Sequence, residues 1–253
     1  MKTEQKISDG IKKQFSTDKL IKRNELYSFI KETYLPDLIE ITFRWYVHKL
    51  KKSGLLVPVK RGVYRIGGSG KIYVPFIEKK HQKLYKDIVA AFSDIVFCIW
   101  STNWFNDFSI HLAMKNIIII ETEKDLVFPV FYLLKDKGYS DIFVNPDKKV
   151  VENYIFECNE AVAVKPIVTK SPLQNVNNVA VPKLEKMLVD LIAEKNLTLP
   201  FQGNEAITIF KNAFDKNQIN ISTLLNYAKR RTAVSEIKEI LEHELKIDKE
   251  LLK

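Results

Sequence analysis

The sequence contains little cysteine, glycine or proline. Only two cysteines, Cys98 and Cys158, occur in 253 residues, and each lies in an apolar stretch without a nearby partner. This usage is typical of reduced thiols in a core and argues against a disulfide framework or a zinc site. With eight glycines, nine prolines and no repeat of fixed period, the chain also does not resemble a disordered or solenoid protein.

Long apolar segments are missing as well. The longest strongly apolar run, residues 117–120, is too short to cross a bilayer, and the polar, basic N-terminus has no stretch of signal-peptide length. We therefore expect a cytoplasmic protein with no membrane partner. Hydrophobic residues make up 46% of the chain, which is enough to form a folded core.

Residue patterns of common catalytic and metal sites are also missing. The histidines at positions 48, 81, 111 and 243 are scattered without metal-ligand spacing, and no serine lies in a nucleophile elbow. We expect no metal, no cofactor and no enzymatic activity. His111 stands between apolar neighbours and is expected to be packed or partly buried.

One acidic segment allows an alternative. Glu121, Glu123 and Lys124 follow an apolar run, as do the acidic and lysine residues of metal-dependent nucleases at a sheet edge. The spacing does not fit, because Glu121 and Lys124 are three residues apart and Thr122 occupies the position of the acid. A nuclease-like enzyme is therefore the alternative to a non-catalytic protein.

Positive charge is concentrated in the N-terminal third. Residues 1–80 contain 18 Lys and Arg against 8 Asp and Glu, whereas residues 81–253 contain 22 against 23. The whole net charge of +9 therefore comes from the first part. This asymmetry is typical of a small module that binds a polyanion, joined to a near-neutral body. The alternative is that the lysines only keep a small domain soluble.

Two helices are predicted at the start of the chain. Ile7, Ile11 and Phe15 recur every four residues and indicate an amphipathic helix, which Gly10 is expected to interrupt. A second helix should end near Pro36, because the residue before a proline disfavours helical geometry.

A third helix carries the strongest functional pattern. It should begin around Asp37 to Glu40, with Asp37 as the N-cap, and end at Gly54. Phe43, Val47 and Leu50 recur at i, i+4 and i+7 and should face a core. The opposite face is basic and aromatic, and consists of Thr42, Arg44, Trp45, His48, Lys49, Lys51 and Lys52.

Residues 55–66, LLVPVKRGVYRI, predict a hairpin directly after this helix. Lys60, Arg61 and Gly62 form the turn, and Pro58 requires an edge strand because it has no N–H. Three helices followed by a hairpin indicate a winged helix, whose last helix enters the major groove. An ordinary solvated hairpin is the alternative. We expect base contacts from Thr42, Arg44 and His48, and phosphate contacts from Lys49, Lys51, Lys52, Lys60 and Arg61.

Two segments resemble AbiEi-type antitoxins of type IV toxin–antitoxin, or abortive infection, systems. These are FRWYVHKLKKSGLLVPVKRGVYRI at residues 43–66 and VPKLEKMLVDLI at residues 181–192. The resemblance implies a DNA-binding autoregulator whose C-terminal domain supports cooperative promoter binding and neutralises a nucleotidyltransferase-like toxin. It implies double-stranded DNA and a cognate toxin as partners. The residues that match the DNA-contacting positions are Arg44, Lys49, Lys60 and Arg61.

The remaining chain predicts an α/β body. The stretch 67–76 begins with GGSG and reads as a linker, since it lacks phosphate-loop spacing. Residues 77–253 follow, with alternating helices and four or five strands to about residue 180 and helices from 181, where Pro182 should start a helix. The predicted fold class is therefore α/β, with a winged helix over residues 1–66 and a C-terminal helical tail.

Two features of the body have more than one interpretation. The aromatic segment WSTNWFNDFSIH, residues 100–111, could form core or a protein-binding patch, and burial tendencies favour core. The basic run at residues 229–231 could contact phosphate or interact with a helix dipole.

We therefore expect a transcriptional regulator that acts by promoter occupancy and associates with itself on DNA. The alternatives are a nuclease-like enzyme targeted by a winged helix and a protein-interaction module that does not bind DNA.

Overall fold

The computed structural model describes residues 2–15, 20–66, 71–92 and 94–252. Within these ranges the chain has a mixed α/β fold. The α-helices are α1 (Lys2–Gln14), α2 (Arg23–Thr33), α3 (Glu40–Lys52), α4 (Lys79–Ala91), α5 (Val127–Asp136), α6 (Lys148–Asn153), α7 (Leu184–Ala193), α8 (Asn204–Lys216), α9 (Ile221–Arg230) and α10 (Val234–Glu239). The strands are β1 (Leu20–Lys22), β2 (Leu56–Lys60), β3 (Val63–Ile66), β4 (Phe97–Ser101), β5 (Asn116–Thr122), β6 (Ile142–Val144), β7 (Glu160–Pro166), β8 (Leu173–Val176) and β9 (Val179–Pro182).

The chain divides into two compact units. The first contains the described residues of Met1–Ile72, Phe214–Ser222 and Asp248–Lys253, and the second contains those of Tyr73–Ala213 and Thr223–Ile247. The first unit thus includes two C-terminal segments that the sequence pattern places in the body. Lys71 and Asn217 form an isolated parallel bridge within the first unit.

The described N-terminal part of the first unit has three helices and a three-stranded antiparallel sheet. Its elements follow the order α1, β1, α2, α3, β2, β3, and the strands lie in the order β1-β3-β2. β2 is therefore an edge strand, and the predicted edge position of Pro58 is confirmed. The short strand β1 was not indicated by the sequence, because three residues are too few to carry a period.

Helix α1 packs through the predicted apolar stripe. Ile7, Ile11 and Phe15 are all buried. Gly10 does not interrupt the helix, so that prediction was wrong. A glycine costs a helix only about 1 kcal/mol, and a Cβ at position 10 would overlap the hydroxyl of Tyr34 and lie 2.6 Å from its Cζ. Gly10 therefore allows Tyr34 to approach the helix closely.

Helix α3 begins at Glu40, within the predicted range, but its N-cap differs from the prediction. Its N-cap residue is Ile39, which makes no side-chain capping bond, so the expectation of an N-cap at Asp37 was wrong. The Tyr27 hydroxyl donates to the carbonyl of Leu38 at 2.7 Å and thereby holds the chain just before the helix. Gly54 follows the helix with φ of 76°, a left-handed conformation that glycine adopts readily.

The second unit is built around a four-stranded sheet. The strand order is β4-β5-β7-β6, with β4 antiparallel to β5 and the other pairs parallel. All seven residues of β5 are buried, as expected for an interior strand covered on both faces. The predicted α/β alternation of this region is confirmed.

Several details of the second unit differ from the prediction. Strands β8 and β9 form a hairpin that the sequence did not indicate. Pro182 ends β9, and α7 begins at Leu184, so the expected helix start at Pro182 was wrong. The predicted C-terminal helices are present, and α10 continues into a π-helical turn at Ile240–Glu244.

The aromatic segment at residues 100–111 is mainly core. Trp100, Trp104, Phe105 and Phe108 are buried, in agreement with their burial tendencies. His111 is exposed, however, and the expectation of a packed histidine was wrong. Its backbone N–H bonds to Glu205, which holds the loop while the ring faces solvent.

The predicted linker lies partly outside the described residues. Positions 67–70 are not among them, and residues 72–78 belong to no helix or strand, although Tyr73 is buried. The Tyr73 hydroxyl donates to Asp107 at 2.7 Å. Within the described ranges, no helix combines the length and apolar character needed to span a membrane.

Candidate nucleic-acid interface

The buried face of α3 determines which side chains reach solvent. Phe43, Val47 and Leu50 are buried in the core of the first unit, as their spacing predicted. Because these residues fix the rotation of the helix, the opposite face must point outward. Its exposed members are the predicted set Thr42, Arg44, Trp45, His48, Lys49, Lys51 and Lys52.

The structure adds two charged residues to this face, Arg23 and Glu40. The Glu40 carboxylate accepts hydrogen bonds from the Arg23 guanidinium and from Arg44 Nε, the latter at 3.1 Å. The bond from Arg23 lowers the pKa of Glu40 and keeps it ionised, with a smaller contribution from Arg44. Arg44 therefore binds an anion either by leaving Glu40 or through its other N–H groups.

Arg23 also joins α3 to the hairpin. Its backbone N–H donates to the carbonyl of Gly62 at 2.8 Å, while its guanidinium lies 4.8 Å from the centre of the Phe43 ring. Gly62 has φ of 74°, which suits the tight turn between β2 and β3. Arg23 thus contacts both the hairpin turn, through its backbone, and α3, through its side chain.

The eight residues predicted to contact DNA lie on two parts of the first unit, helix α3 and the hairpin. Six of them lie on α3, Lys60 is the last residue of β2, and Arg61 follows it in the turn. The expectation of Lys60 in the turn was wrong, because Lys60 pairs with Val63 of β3. Arg61 is exposed, whereas Lys60 is half-buried. Lys51 connects the helix to the hairpin, because its Nζ lies 5.1 Å from the centre of the Tyr64 ring on β3.

The lysines near the end of α3 are not equivalent. Lys49 pairs with Glu4 of α1 at 3.1 Å, and its Nζ also lies 4.4 Å from the centre of the Trp45 ring. Exposed ion pairs of this kind contribute about 0–1 kcal/mol, so phosphate can replace Glu4. Lys52 extends from the same end of the helix, and both lysines line an open depression with Trp45, His48 and Ser53.

Sequence reasoning could have found part of what it missed. Glu40 and Arg44 are four residues apart, and this spacing on a helix predicts an ion pair. Arg23 gave no comparable signal, because it meets Glu40 only through the packing of α2 against α3. The exposed apolar residues Ile39 and Ile41 on the N-terminal turn of α3 were also overlooked.

The second unit contains a buried charged cluster around Lys186. Its Nζ lies 2.7 Å from a carboxylate oxygen of Glu121 and also pairs with Asp190. The Lys186 ammonium lies between the rings of Trp100 and Tyr227, at 5.6 and 5.4 Å from their centres. Burial alone would lower the pKa of Lys186, but the two carboxylates outweigh burial and raise it well above its usual value.

The charged cluster around Lys186 gives Glu121 a structural role. Its carboxylate also accepts a hydrogen bond from the Trp100 indole at 3.2 Å, and its side chain is buried. Glu123 and Lys124, the other residues of the nuclease-like segment, are exposed. In the described part of the chain, no group of three or more His, Cys, Asp or Glu side chains converges as metal ligands do. Glu121 thus acts here as the partner of Lys186.

Residues 42–247 match a family described as a family of unknown function, DUF6577. A search of curated proteins finds no match. The matched range includes most of α3, the hairpin and the whole of the second unit. Because it covers most of the sequence, the chain belongs to the DUF6577 family.

Proposed function

We propose that the first unit binds duplex DNA and that the protein regulates transcription by occupying a promoter. In this proposal α3 enters the major groove, and the turn between β2 and β3 lies against the neighbouring backbone, as in a winged helix. The order of three helices and a three-stranded antiparallel sheet supports the comparison.

The observation that carries the proposal is the exposed cationic face of α3. Arg44, Lys49, Lys51 and Lys52 all point to solvent from one helix, directly before a hairpin with Arg61 at its turn. Cationic side chains that neutralise phosphates supply most of the affinity of a DNA-binding protein. The concentration of the net charge in residues 1–80 provides the long-range attraction.

The side chains divide by their expected contacts. Thr42, Arg44 and His48 lie on the part of α3 that would face base edges. Phosphate contacts are assigned to Lys49, Lys51, Lys52, Lys60 and Arg61. Glu40, paired with Arg23, holds the Arg44 side chain when Arg44 is not in contact with a base. This restraint limits the binding of Arg44 to phosphates, which carry no sequence information.

We further propose an antitoxin-like role, in which the protein represses its own promoter in the cytoplasm. This part rests on the resemblance to AbiEi-type antitoxins. The second unit would bind a cognate nucleotidyltransferase-like toxin, or a second copy of the chain on DNA. The proposal requires no catalytic step and no cofactor.

The test is fluorescence anisotropy with a duplex from the upstream region of the gene and with a scrambled duplex. Arg44→Ala should reduce affinity for the preferred duplex by about 1–3 kcal/mol and relax the base preference. Lys60→Ala should weaken binding to both duplexes equally and lower the salt slope by about 1. Lys124→Ala, an exposed lysine of the second unit, is the matched control and should change neither.

Two results would contradict the proposal. An unchanged base preference in Arg44→Ala would remove the major-groove assignment of α3. Failure of the wild type to bind either duplex at low salt would mean that the basic face meets an acidic protein instead. Incubation with Mg²⁺ should leave the duplexes intact, and cleavage would favour the nuclease alternative.

A further inference from the structure

Large apolar side chains are exposed at the N-terminal end of α3. Ile41 is 75% exposed, Ile39 is 60% exposed and Trp45 is 45% exposed. Single exposed apolar residues are ordinary on protein surfaces, but a group at one end of a helix often marks an interaction site. Phe43, between Ile41 and Trp45 in sequence, is fully buried, so the exposed residues are not explained by a loosely packed helix.

These residues form one stripe with the cations of the same helix. Ile41 and Trp45 are four residues apart, so they lie about one helical turn apart on the same side of α3. The stripe continues through His48 to Lys52, so its character changes from apolar to cationic along the helix axis. The Lys49 ammonium lies 4.4 Å from the centre of the Trp45 ring and restricts its orientation.

The charge of the surrounding face limits the partner that this stripe fits. An apolar protein surface would have to desolvate Arg44, Lys49 and Lys52 in order to cover Ile41 and Trp45, which is costly. Duplex DNA offers phosphates to the cationic end. In its major groove it also offers one apolar group, the C5-methyl of thymine.

The direction of the stripe matches this arrangement. When a recognition helix enters the major groove, its N-terminal residues contact base edges. Ile41 lies in the first turn of α3, and the lysines lie in the last turns. The apolar end would therefore meet the bases while the cationic end meets the backbone.

We propose that α3 recognises thymine, with Ile41 packed against a thymine methyl group and Trp45 flanking it. This inference rests on the proposed function, because it requires that α3 enter the major groove. It adds a determinant of specificity that does not depend on Arg44. The preferred site should contain a T·A pair within the region that α3 contacts.

The test replaces thymine by deoxyuridine, which removes only the C5-methyl group. A duplex of 20 base pairs is first selected from a randomised pool with the wild-type protein. Each thymine is then replaced singly, and affinities are measured by fluorescence anisotropy. Loss of a buried methyl group should weaken wild-type binding about fourfold at one or two positions.

The variant Ile41→Ala identifies the side chain responsible. It should bind the thymine and deoxyuridine duplexes with nearly equal affinity, because the methyl group then has no apolar partner. Leu112→Ala is the matched control, since Leu112 is an exposed apolar residue of the second unit. It should keep the fourfold difference. Circular dichroism should show that Ile41→Ala remains folded, as expected for an exposed position.

The outcomes separate this inference from the proposed function. If the wild type binds DNA but every deoxyuridine duplex binds as well as its parent, thymine recognition is wrong and DNA binding stands. A thymine preference that persists in Ile41→Ala would also overturn the assignment. If no duplex is selected at low salt, the proposed function itself fails. A fall in oligomeric mass in Ile41→Ala, without a change in DNA binding, would assign the stripe to a protein interface.

Discussion

His81 is a buried histidine without an obvious partner. It lies on α4 and packs against Trp104, with 5.7 Å between ring centres, and neither ring nitrogen has a hydrogen-bond partner among the described residues. Burial lowers the pKa of His81, and the nearby carboxylates of Glu78 and Glu160 oppose this effect only in part. The ring is therefore neutral in the folded protein at pH 7.

The lowered pKa predicts a loss of stability in acid. Below the unfolded-state pKa of about 6.5, the unfolded chain binds a proton that folded His81 resists, so the free energy of unfolding falls as pH decreases. The slope is at most about 1.4 kcal/mol per pH unit. His81→Leu should flatten the dependence between pH 7 and pH 5, since it removes the group that titrates.

Tryptophan fluorescence can follow this effect in the second unit alone. In a Trp45→Phe background, the remaining tryptophans are Trp100 and Trp104, both in the second unit. Urea unfolding at several pH values then gives the comparison. His111→Leu is the control, because His111 is exposed. An equal slope in the parent and in His81→Leu would show that another group causes the acid sensitivity.

His81 and His111 show when the burial of a single residue can be predicted from sequence. His81, Leu84 and Ile88 share a helical stripe, so the burial of His81 could have been predicted from its spacing. His111 has apolar neighbours in sequence, but Ile110 and Leu112 are exposed too. Apolar neighbours indicate burial only when they recur with a helix or strand period, and a loop has none.

At the scale of the element, α1 depends on its glycine. An alanine in a helix interior is normally more stable than glycine by about 1 kcal/mol. At position 10 the added Cβ would overlap Tyr34, whose ring also packs edge-on against Phe29 at 5.8 Å. Tyr34 must then move away from this contact. Gly10→Ala should therefore destabilise the protein by about 1–3 kcal/mol.

The variant Tyr34→Ala separates the steric overlap at position 10 from the difference in helix propensity between glycine and alanine. In Tyr34→Ala, the same Gly10→Ala change should instead stabilise the protein by about 1 kcal/mol, because only the propensity difference remains. Urea unfolding followed by far-UV circular dichroism measures both. Lys12→Ala, at an exposed site of the same helix, should change stability by less than about 0.5 kcal/mol. A stabilising Gly10→Ala in the wild-type background would contradict the close approach of Tyr34.

Most helices and the long strands could be predicted from their periods, and the missed elements have physical reasons. β1 pairs with β3 over three residues, and its pairing depends on contacts distant in sequence. β8 and β9 are four residues each and neither alternates polar and apolar residues, so no strand period marks them. The start of α3 is fixed by the bond from Tyr27 to Leu38, which no local capping rule predicts.

For the whole molecule, the sequence correctly predicted a mixed α/β fold and an exposed basic face on the third helix. The charge asymmetry and the helical period were sufficient, because both depend on local composition. Glu40, itself paired with Arg23, restrains Arg44. Glu4 restrains Lys49. The Glu40–Arg44 spacing indicates one of these pairs, but Arg23 and Glu4 are far from their partners in sequence, so their contributions required the packed structure.

The most direct test of DNA binding by α3 is the salt dependence of affinity. The measurement compares the wild type with a variant in which Lys49, Lys51 and Lys52 are replaced by glutamine, using one duplex of random sequence. The matched control replaces an equal number of exposed lysines of the second unit, namely Lys124, Lys137 and Lys149.

We predict that the logarithm of the wild-type affinity falls linearly with the logarithm of salt concentration. The slope of the α3 variant should be smaller in magnitude by about 3, since each phosphate contact contributes about 0.9. The control should keep the wild-type slope. Equal slopes in all three proteins, or no binding by the wild type at low salt, would contradict the assignment of α3 as the DNA-binding helix.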